Sequence, residues 1–304
     1  MLTDTLLIEI GTEELPPKSL NQLRLSLAAL MRKQLEDAEL SYASLCCHAT
    51  PRRLALIVEE LSSQQAERHI ERRGPATKAA YDDEEMSAYL FTPKNGTPPY
   101  DAIVYFPGSN AIHDKNSTVI SPRQADFFLK ANYAVIHPIY KGTYERGTDL
   151  KTDYQNETVS YKDHVIWWGK DLKRSIDYLE TRDDINSTNL AYYGVSWGGQ
   201  MGAVMIPIEN RFKVGLLNVA GLMFQKALPE VDPVNYISRI TIPTIMMNGK
   251  YDHYFPLETS QKPMFDFMST PVEHKKHYVF ETGHNVPRKE LAKELLGWLD
   301  KYLQ

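Results

Sequence analysis

The spacing of hydrophobic residues changes near residue 80. Before that point, "TLLIEIGTEE" is a short apolar run and "RRLALIVEEL" alternates, so each predicts a strand. Between the two, apolar residues recur at three- and four-residue spacing, which predicts a buried stripe on a helix that begins near Ser19. The stripe consists of Leu20, Leu23, Leu27, Leu30 and Met31. Residues 1–79 are therefore expected to form a small α+β unit of strand, helix and strand, too short to bury a robust core alone.

Residues 80–304 show a different pattern, in which apolar runs alternate with helical stretches. The runs are "DAIVYFPG", "YAVIHPIY", "NLAYYGVS", "KVGLLNVAG", "IPTIMMNG" and "KHYVFETG". The intervening helices include "SPRQADFFLKA", "YKDHVIWWGKDLKRSIDYLE" and "KELAKELLGWLDKYL". Strands that are apolar on both faces and alternate with helices predict a mostly parallel α/β sheet with helices on both faces. Ligands on such a sheet bind at the carboxyl ends of the strands.

Composition and charge narrow the classes of partner. The net charge of −5 gives no basic surface for nucleic acid or membranes, so a small-molecule substrate is expected. Cys46 and Cys47 are adjacent, which strains a mutual disulfide and fits no zinc spacing. The N-terminus is acidic where a signal peptide is basic, and no apolar run is long enough to span a bilayer. We expect a soluble, cytoplasmic protein that needs neither a metal nor a cofactor.

The stretch "AYYGVSWGGQMG" contains the strongest chemical motif. Gly194, Ser196 and Gly198 form a Gly-x-Ser-x-Gly pattern between a predicted strand and a predicted helix. A serine on such a strained turn is an exposed nucleophile, and small flanking residues are required because the backbone passes close to its neighbours. Ser196 is therefore the candidate nucleophile.

A serine hydroxyl needs a base, and the base needs an acid that fixes its tautomer. In folds with this motif the acid and the histidine follow in that order, each beyond a later strand. Asp252 follows "TIPTIMMNG", and His284 follows "HYVFETG", which makes them the candidate acid and base. His253 remains a rival base, and Glu258 is the alternative acid.

Acyl transfer also needs backbone N–H groups that stabilise a developing oxyanion. The amide of Trp197, directly after the nucleophile, is one candidate. The second is Ser109 in the loop after "IVYFPG", where Gly108 is expected to let the chain turn, and Asn110 is the alternative.

Several weaker features concern the surroundings of this site. Tyr140, Lys141 and Arg146 follow a strand and either shape the substrate mouth or form a solvated loop. His137 and the pair Trp167 and Trp168 are expected in the core. The short segment between "NVAG" and "RITIP", with Met223 and Phe224, leaves no room for a large cap domain. These features predict an open pocket with an apolar rim.

From about residue 80 to the end, the sequence resembles the α/β-hydrolase superfamily. The motifs "YFPGS", "PIYKGTYERG", "GVSWGG", "KYDHYFPLETSQKP" and "ETGHNVPRKEL" are similar to the dienelactone-hydrolase-like domain found behind bacterial serine/threonine kinases. The resemblance implies an α/β-hydrolase fold with Ser196, Asp252 and His284 as catalytic triad and Trp197 with Ser109 as oxyanion hole. True dienelactone hydrolases have a cysteine where this chain has Ser196, which argues against dienelactone chemistry.

The first 79 residues resemble a different family. "LLIEIGTEELPPKSL", "ATPRRLAL" and "IERRGPA" are similar to the extreme N-terminus of the β subunit of bacterial glycyl-tRNA synthetase. The stretch "RRGPATKAAYDDEE" would then be the fusion point of domains 1–79 and 80–304. The segment has no phosphate-binding surface, so we do not expect it to aminoacylate tRNA.

The expected function is hydrolysis of small or short-chain carboxylic esters through an acyl-enzyme. A serine peptidase of the prolyl-oligopeptidase type is one alternative, and a non-catalytic binding module is another. The predicted sheet begins at "MSAYLFTP", so an edge is left for "LALIVEE" or "LLIEI" to cover, or for a homo-oligomer contact through the N-terminal segment or the sheet edge.

Overall fold

The computed structural model describes residues 3–63 and 86–303. The chain divides into two compact units, Met1–Asp82 and Asp83–Gln304, here called unit one and unit two. The fusion point predicted between residues 79 and 80 lies outside the described residues.

Unit one is a three-stranded antiparallel sheet with one helix. Its elements are β1 (Thr3–Gly11), α1 (Pro17–Asp37), β2 (Ser44–Thr50) and β3 (Arg53–Ser62), and the strand order is β1-β3-β2. The two strands and the helix predicted from sequence are present, but β2 was not predicted. Its sequence "SLCCHAT" is largely small and polar, yet it alternates: Leu45 and Cys47 are buried, whereas Cys46 is exposed. Both cysteines are free thiols.

The predicted stripe on α1 is wrong in part. Leu23 and Leu30 are exposed, at 38 % and 62 %, whereas Ala28 and Leu35 are buried, with Leu27 and Met31 packed beside them. Leu30 stands two residues beyond Ala28, which is more than half a turn around the helix, so it faces away from the sheet.

The strand β3 lies in the middle of its sheet, paired on one side with β1 and on the other with β2. Both of its hydrogen-bonding edges are therefore used within unit one. The prediction that "LALIVEE", which belongs to β3, covers another sheet edge is wrong. The strand β1, which contains "LLIEI", lies at the edge of the sheet.

Unit two contains a seven-stranded sheet in which all pairs but one are parallel. The strands are β4 (Ala88–Phe91), β5 (Tyr100–Phe106), β6 (Ala134–Pro138), β7 (Ile185–Val195), β8 (Phe212–Asn218), β9 (Thr244–Gly249) and β10 (Lys275–Phe280). Their order is β10-β9-β8-β7-β5-β6-β4, and only β4 runs antiparallel to its neighbour β6. All six apolar runs are strands, as predicted.

The helices of unit two lie on both faces of this sheet. They are α2 (Asn110–His113), α3 (Asp126–Lys130), α4 (Val159–Glu180), α5 (Trp197–Met205), α6 (Lys262–Phe267) and α7 (Arg288–Tyr302). One hydrophobic cluster joins the sheet to α4 and α5 through residues such as Trp168 and Met201. A second joins the other face to α3 and α7 through residues such as Phe128 and Leu295. The predicted α/β class and helices on both faces are confirmed.

The stretch "SPRQADFFLKA" is less helical than predicted. It forms a 3-10 turn at Pro122–Gln124 and then the short helix α3. Ala125, between the two, has φ −128° and ψ 15°, which lies outside the helical region and interrupts the hydrogen-bond ladder.

Across residues 3–63 and 86–303, none of the helices is both long enough and apolar enough to cross a membrane.

Candidate active site

Ser196 lies on a strained turn between β7 and α5, as the motif predicts. Its φ of 54° and ψ of −109° are rare for a residue with a side chain, and such strain is typical of functional sites. The Ser196 N–H donates to the Asn218 carbonyl at 2.9 Å, and the Gly198 N–H donates to the Pro107 carbonyl at 2.9 Å. These bonds tie the turn to the strand ends on both sides and fix the position of the hydroxyl.

Two of the motif glycines are required by close backbone contacts. A Cβ on Gly194 would lie 2.2 Å from the Gly198 carbonyl oxygen, and a Cβ on Gly198 would lie 2.1 Å from the Phe106 carbonyl oxygen. No side chain can occupy either position without moving the backbone, which explains why a serine elbow needs glycines at this spacing.

His284 lies between Ser196 and Asp252. Its Nε2 is 2.7 Å from Ser196 Oγ, and its Nδ1 is 2.7 Å from Asp252 Oδ2. The three side chains come from the turn after β7, the turn after β9 and the turn after β10, which meet because parallel strands end at one edge of the sheet. The structure therefore brings together the three residues that the spacing selected.

Asp252 is held in one orientation by the backbone that follows it. Its Oδ1 accepts hydrogen bonds from the N–H groups of Tyr254 at 2.9 Å and Phe255 at 3.1 Å. The Asp252 side chain has no exposed surface, whereas that of His284 is 21 % exposed. The Tyr254 ring contacts His284 edge-on, with ring centroids 4.8 Å apart, and limits its rotation.

The rival residues lie elsewhere. His253 is exposed and packs on the ring of Tyr254 at 4.0 Å. Glu258 is exposed in the short π-helix Leu257–Gln261 and pairs with Lys262 at 2.6 Å. In the part of the chain that the structure describes, neither His253 nor Glu258 contacts Ser196 or His284.

Ser109 and Trp197 come from the two loops that flank the nucleophile. Ser109 directly precedes α2, and Trp197 is the first residue of α5, where an amide has no acceptor within its own helix. The loop that follows α2 is anchored by Ser117, whose N–H and hydroxyl both donate to Glu145, at 2.8 and 2.6 Å. These hydrogen bonds lower the pKa of Glu145. Asn110, the alternative donor, is exposed.

Gly108 does not serve as predicted. Its φ lies outside the left-handed region, and an added Cβ would come no closer than 3.7 Å to Ser196 or Val195. The chain turns here with a backbone conformation that other residues adopt, so neither the φ angle nor the contacts with Ser196 and Val195 require glycine.

A cavity of about 790 Å³ opens beside Ser196 and His284. Met223 contributes to its wall as predicted, whereas Phe224 is 66 % exposed and does not. The rim is more polar than predicted, because the segment from Lys151 to Tyr154 also lines it. Burial raises the pKa of Asp153 in this segment.

Tyr140, Lys141 and Arg146 do not shape the mouth of this cavity. Tyr140 is fully buried, and Arg146 forms an ion pair with Asp171 at 2.8 Å in which both side chains are 10 % exposed. The Lys141 N–H donates to the same carboxylate at 2.8 Å. Trp168, fully buried, donates from Nε1 to the Lys141 carbonyl at 2.7 Å, so the loop is a packed structural element.

Four cavity residues were missed because they sit in apolar strand sequences. Tyr105, Tyr193, Asn218 and His137 all line the cavity, and His137 had been assigned only to the core. Burial lowers the pKa of His137 to about 3, so the ring is uncharged at neutral pH. Their signal in the sequence is a polar atom at the last positions of an otherwise apolar strand.

Known proteins of two different kinds are similar to different parts of this chain. The family model of the glycyl-tRNA synthetase beta subunit matches residues 6–105. The glycine–tRNA ligase beta subunit of Coxiella burnetii is 49 % identical over 85 residues, which are 28 % of this chain and 12 % of that protein. The chain thus spans about an eighth of the length of the curated relatives it matches.

Solved structures match the larger part of the chain. A dienelactone hydrolase of Klebsiella pneumoniae, described as putative, superposes with a TM-score of 0.57 at 17 % identity, covering 72 % of this chain and 94 % of that one. An acetyl xylan esterase of Paenibacillus sp. R4 superposes with a TM-score of 0.54 at 17 % identity, covering 72 % and 80 %. The chain therefore carries a segment similar to the glycyl-tRNA synthetase β subunit ahead of a unit with the α/β-hydrolase fold.

Proposed function

We propose that unit two is a serine carboxylesterase that works through an acyl-enzyme. The observation that carries this proposal is the continuous row of two 2.7 Å hydrogen bonds from Ser196 Oγ through His284 to Asp252, at the wall of a cavity. This arrangement of nucleophile, base and orienting carboxylate recurs in enzymes that transfer acyl groups.

In the first half of the reaction, Ser196 Oγ attacks the ester carbonyl carbon while its proton passes to His284 Nε2. The tetrahedral intermediate then collapses, the bond between carbon and alkoxy oxygen breaks, and His284 returns the proton to the leaving alcohol. Water repeats the cycle on the acyl-enzyme and releases the carboxylic acid. Asp252 holds Nδ1 protonated and stabilises the imidazolium in both halves.

The oxyanion would be bound by the backbone amides of Trp197 and Ser109. The turn that carries Trp197 is tied to the loop after β5 by the Gly198–Pro107 hydrogen bond, and Ser109 lies in that same loop. The chain that follows Ser109 and α2 is held by the Ser117–Glu145 contacts. Donors that are fixed before the reaction stabilise the developing charge without reorganisation, and the loss of one costs about 10²–10³ in kcat.

The proposed substrates are small or short-chain acyl esters, because the segment between "NVAG" and "RITIP" is too short to form a large cap domain. The acetyl xylan esterase among the similar structures acts, by its name, on an acetyl ester. The cavity volume of about 790 Å³ lies in the upper part of the range for small-molecule sites, which is about 300–1,000 Å³. The acyl group therefore leaves part of the cavity for the remainder of the substrate.

The domain organisation is also a proposal. A boundary near residue 79 agrees with the 85-residue match to the curated relatives, although the family model extends to residue 105. We assign the chemistry to unit two, and give unit one no role in aminoacylation.

The test is turnover of 4-nitrophenyl butyrate and of an aminoacyl 4-nitroanilide by the full chain and by two serine variants. Ser196→Ala should abolish ester hydrolysis, whereas Ser269→Ala, an exposed serine of unit two, should retain it. Faster turnover of the anilide than of the ester would favour the peptidase alternative. Full ester turnover by Ser196→Ala would refute the proposal.

A further inference from the structure

Four polar side chains form a row across the sheet beside Ser196. Asn218, Tyr193, Tyr105 and His137 stand near the carboxyl ends of β8, β7, β5 and β6, which are consecutive in the sheet. All four line the cavity that also contains Ser196. We call these residues the strand-end row.

The members of the row contact one another in sequence. Asn218 Nδ2 lies 3.4 Å from the Tyr193 hydroxyl, the rings of Tyr193 and Tyr105 stack with centroids 5.5 Å apart, and Tyr105 meets His137 edge-on at 4.7 Å. Tyr105 and Tyr193 are direct partners in the strand register. The four residues are only 2–8 % exposed, so the row is a packed wall that borders the cavity with little accessible surface.

The two ends of the row carry polar atoms that nothing in the described chain satisfies. His137 Nε2 and Asn218 Oδ1 are buried and have no hydrogen-bond partner among the described residues. Turning the Asn218 amide over would bring its oxygen to Tyr193 and leave its nitrogen without a partner instead. Unpaired buried polar atoms are rare in folded proteins, and in a cavity wall they indicate that a polar ligand or water completes them.

The row is uncharged at neutral pH. Burial lowers the pKa of His137 to about 3 and raises that of Tyr105 well above its ordinary value. A charged ligand group would lose its hydration here without gaining a counter-ion, so the row favours an uncharged one.

We propose that the strand-end row is a substrate subsite for an uncharged planar ring bearing a hydroxyl group, and that His137 selects for that hydroxyl. The ring would lie against the rings of Tyr193 and Tyr105 where they border the cavity, and edge-to-face contacts between aromatic rings are favourable. A hydroxyl both donates and accepts, so it pairs with Nε2 in either tautomer of the neutral imidazole.

The row begins beside the nucleophile, since the Ser196 N–H donates to the Asn218 carbonyl at 2.9 Å. From the end of β7, which carries Ser196, to His137 on β6 is two strand spacings, or about 10 Å, a distance that an arylalkanoyl group can span from the ester carbon. This inference rests on the proposed function, because it extends the substrate of the same site from short acyl esters to esters of hydroxylated aromatic acids.

The test compares two esters that differ by one hydroxyl, 4-nitrophenyl 3-(4-hydroxyphenyl)propanoate and 4-nitrophenyl 3-phenylpropanoate. Two methylene groups insulate the carbonyl from the ring, so the hydroxyl does not alter its reactivity. The wild-type chain should prefer the hydroxylated ester by about tenfold in kcat/KM, the value of one hydrogen bond. His137→Phe should reduce the preference to about one, and His137→Gln should retain part of it.

The matched control is His277→Phe, which removes another uncharged strand histidine whose pKa burial lowers to about 4. His277 bonds to Asn248 and does not line the cavity, so this variant should keep the tenfold preference. A wild-type preference near one, or an unchanged preference in both His137 variants, would overturn the subsite.

Failure of the esterase proposal is distinguishable from failure of the subsite. If the wild-type chain hydrolyses neither ester, calorimetry with 3-(4-hydroxyphenyl)propanamide and 3-phenylpropanamide measures the subsite without chemistry. The hydroxylated amide should bind about tenfold more tightly to the wild-type chain and equally to His137→Phe. Equal affinity for the wild-type chain would overturn the subsite.

Discussion

The Nε2 atom of His284 lies 2.7 Å from the Oγ atom of Ser196, although 88 residues separate the two in the chain. Each residue sits just beyond the carboxyl end of a parallel strand, Ser196 after β7 and His284 after β10. The sheet topology accounts for the contact, because it brings these turns to one edge. The chemistry proposed for unit two depends on this contact and on the carboxylate behind it.

Asp252→Asn should lower kcat for 4-nitrophenyl butyrate by about 10³–10⁴-fold, because an amide does not hold His284 in the tautomer that accepts the serine proton. The amide oxygen can still accept from the Tyr254 and Phe255 N–H groups, so the melting temperature should change little. Steady-state kinetics and thermal unfolding of the same sample measure both effects.

The control for this variant is Glu258→Gln, which removes the alternative acid. Since Glu258 is exposed and paired with Lys262, its loss should leave kcat within about twofold. A larger loss of activity in Glu258→Gln than in Asp252→Asn would show that Glu258, and not Asp252, is the acid.

Ser109→Pro tests the second oxyanion donor, because proline has no N–H. Ser109 has φ −61°, which a proline ring adopts, so the loop should keep its shape. We expect kcat to fall by about 10²–10³-fold, whereas Ser109→Ala keeps the amide and should retain activity within a few-fold. Equal kcat values in the two variants would exclude the Ser109 amide as a donor.

The glycine requirement of the elbow can be tested by stability. Gly198→Ala places a Cβ against the Phe106 carbonyl and should lower the free energy of unfolding by about 3 kcal/mol. Gly297→Ala, in α7 where an added Cβ meets nothing, should raise it by about 0.5–1 kcal/mol. Urea titration of both variants gives the comparison, and equal effects would contradict the packing described for the elbow.

Two histidines in strands, the buried His137 and the partly buried His277, should make the fold sensitive to acid. Burial lowers the pKa of His137 to about 3 and that of His277 to about 4, whereas both are near 6.5 in an unfolded chain. Between those values the unfolded chain binds more protons, so the free energy of unfolding falls as the pH drops below about 6.5. Lowering the pH from 7 to 5 should remove about 2 kcal/mol per histidine.

His137→Phe isolates this contribution. The variant should lose about 2 kcal/mol less than the wild-type chain between pH 7 and pH 5, as measured by urea unfolding at both pH values. An identical pH dependence in the two proteins would mean that His137 is charged in the folded state.

The sequence predicted which three side chains of unit two meet, because the constraints on their positions are local. Gly194 and Gly198 flank Ser196, and Asp252 and His284 each follow a strand whose apolar run is unmistakable. A turn of this shape demands particular residues at fixed spacing, so the motif identifies both the turn and the serine.

The sequence predicted other features poorly because they depend on tertiary packing. The sequence around Arg146 is typical of a solvated loop, whereas in the folded chain Arg146 forms an ion pair with Asp171 on α4 at 2.8 Å. His137 is typical of a core residue, since its strand is apolar, and only its tertiary contact with Tyr105 shows that it lies in a cavity wall. The strand β2 was missed because only Leu45 and Cys47 form its buried face, which is too few apolar residues for a recognisable strand pattern.

The most direct test of the central claim is to locate the nucleophile chemically. The full chain is treated with a fluorophosphonate, which reacts with an activated serine, and the modified peptide is identified by mass spectrometry. We predict one adduct on Ser196, loss of ester turnover in proportion to labelling, and no adduct in Ser196→Ala. An adduct on another serine, or full turnover by a chain that is completely labelled at Ser196, would contradict the account.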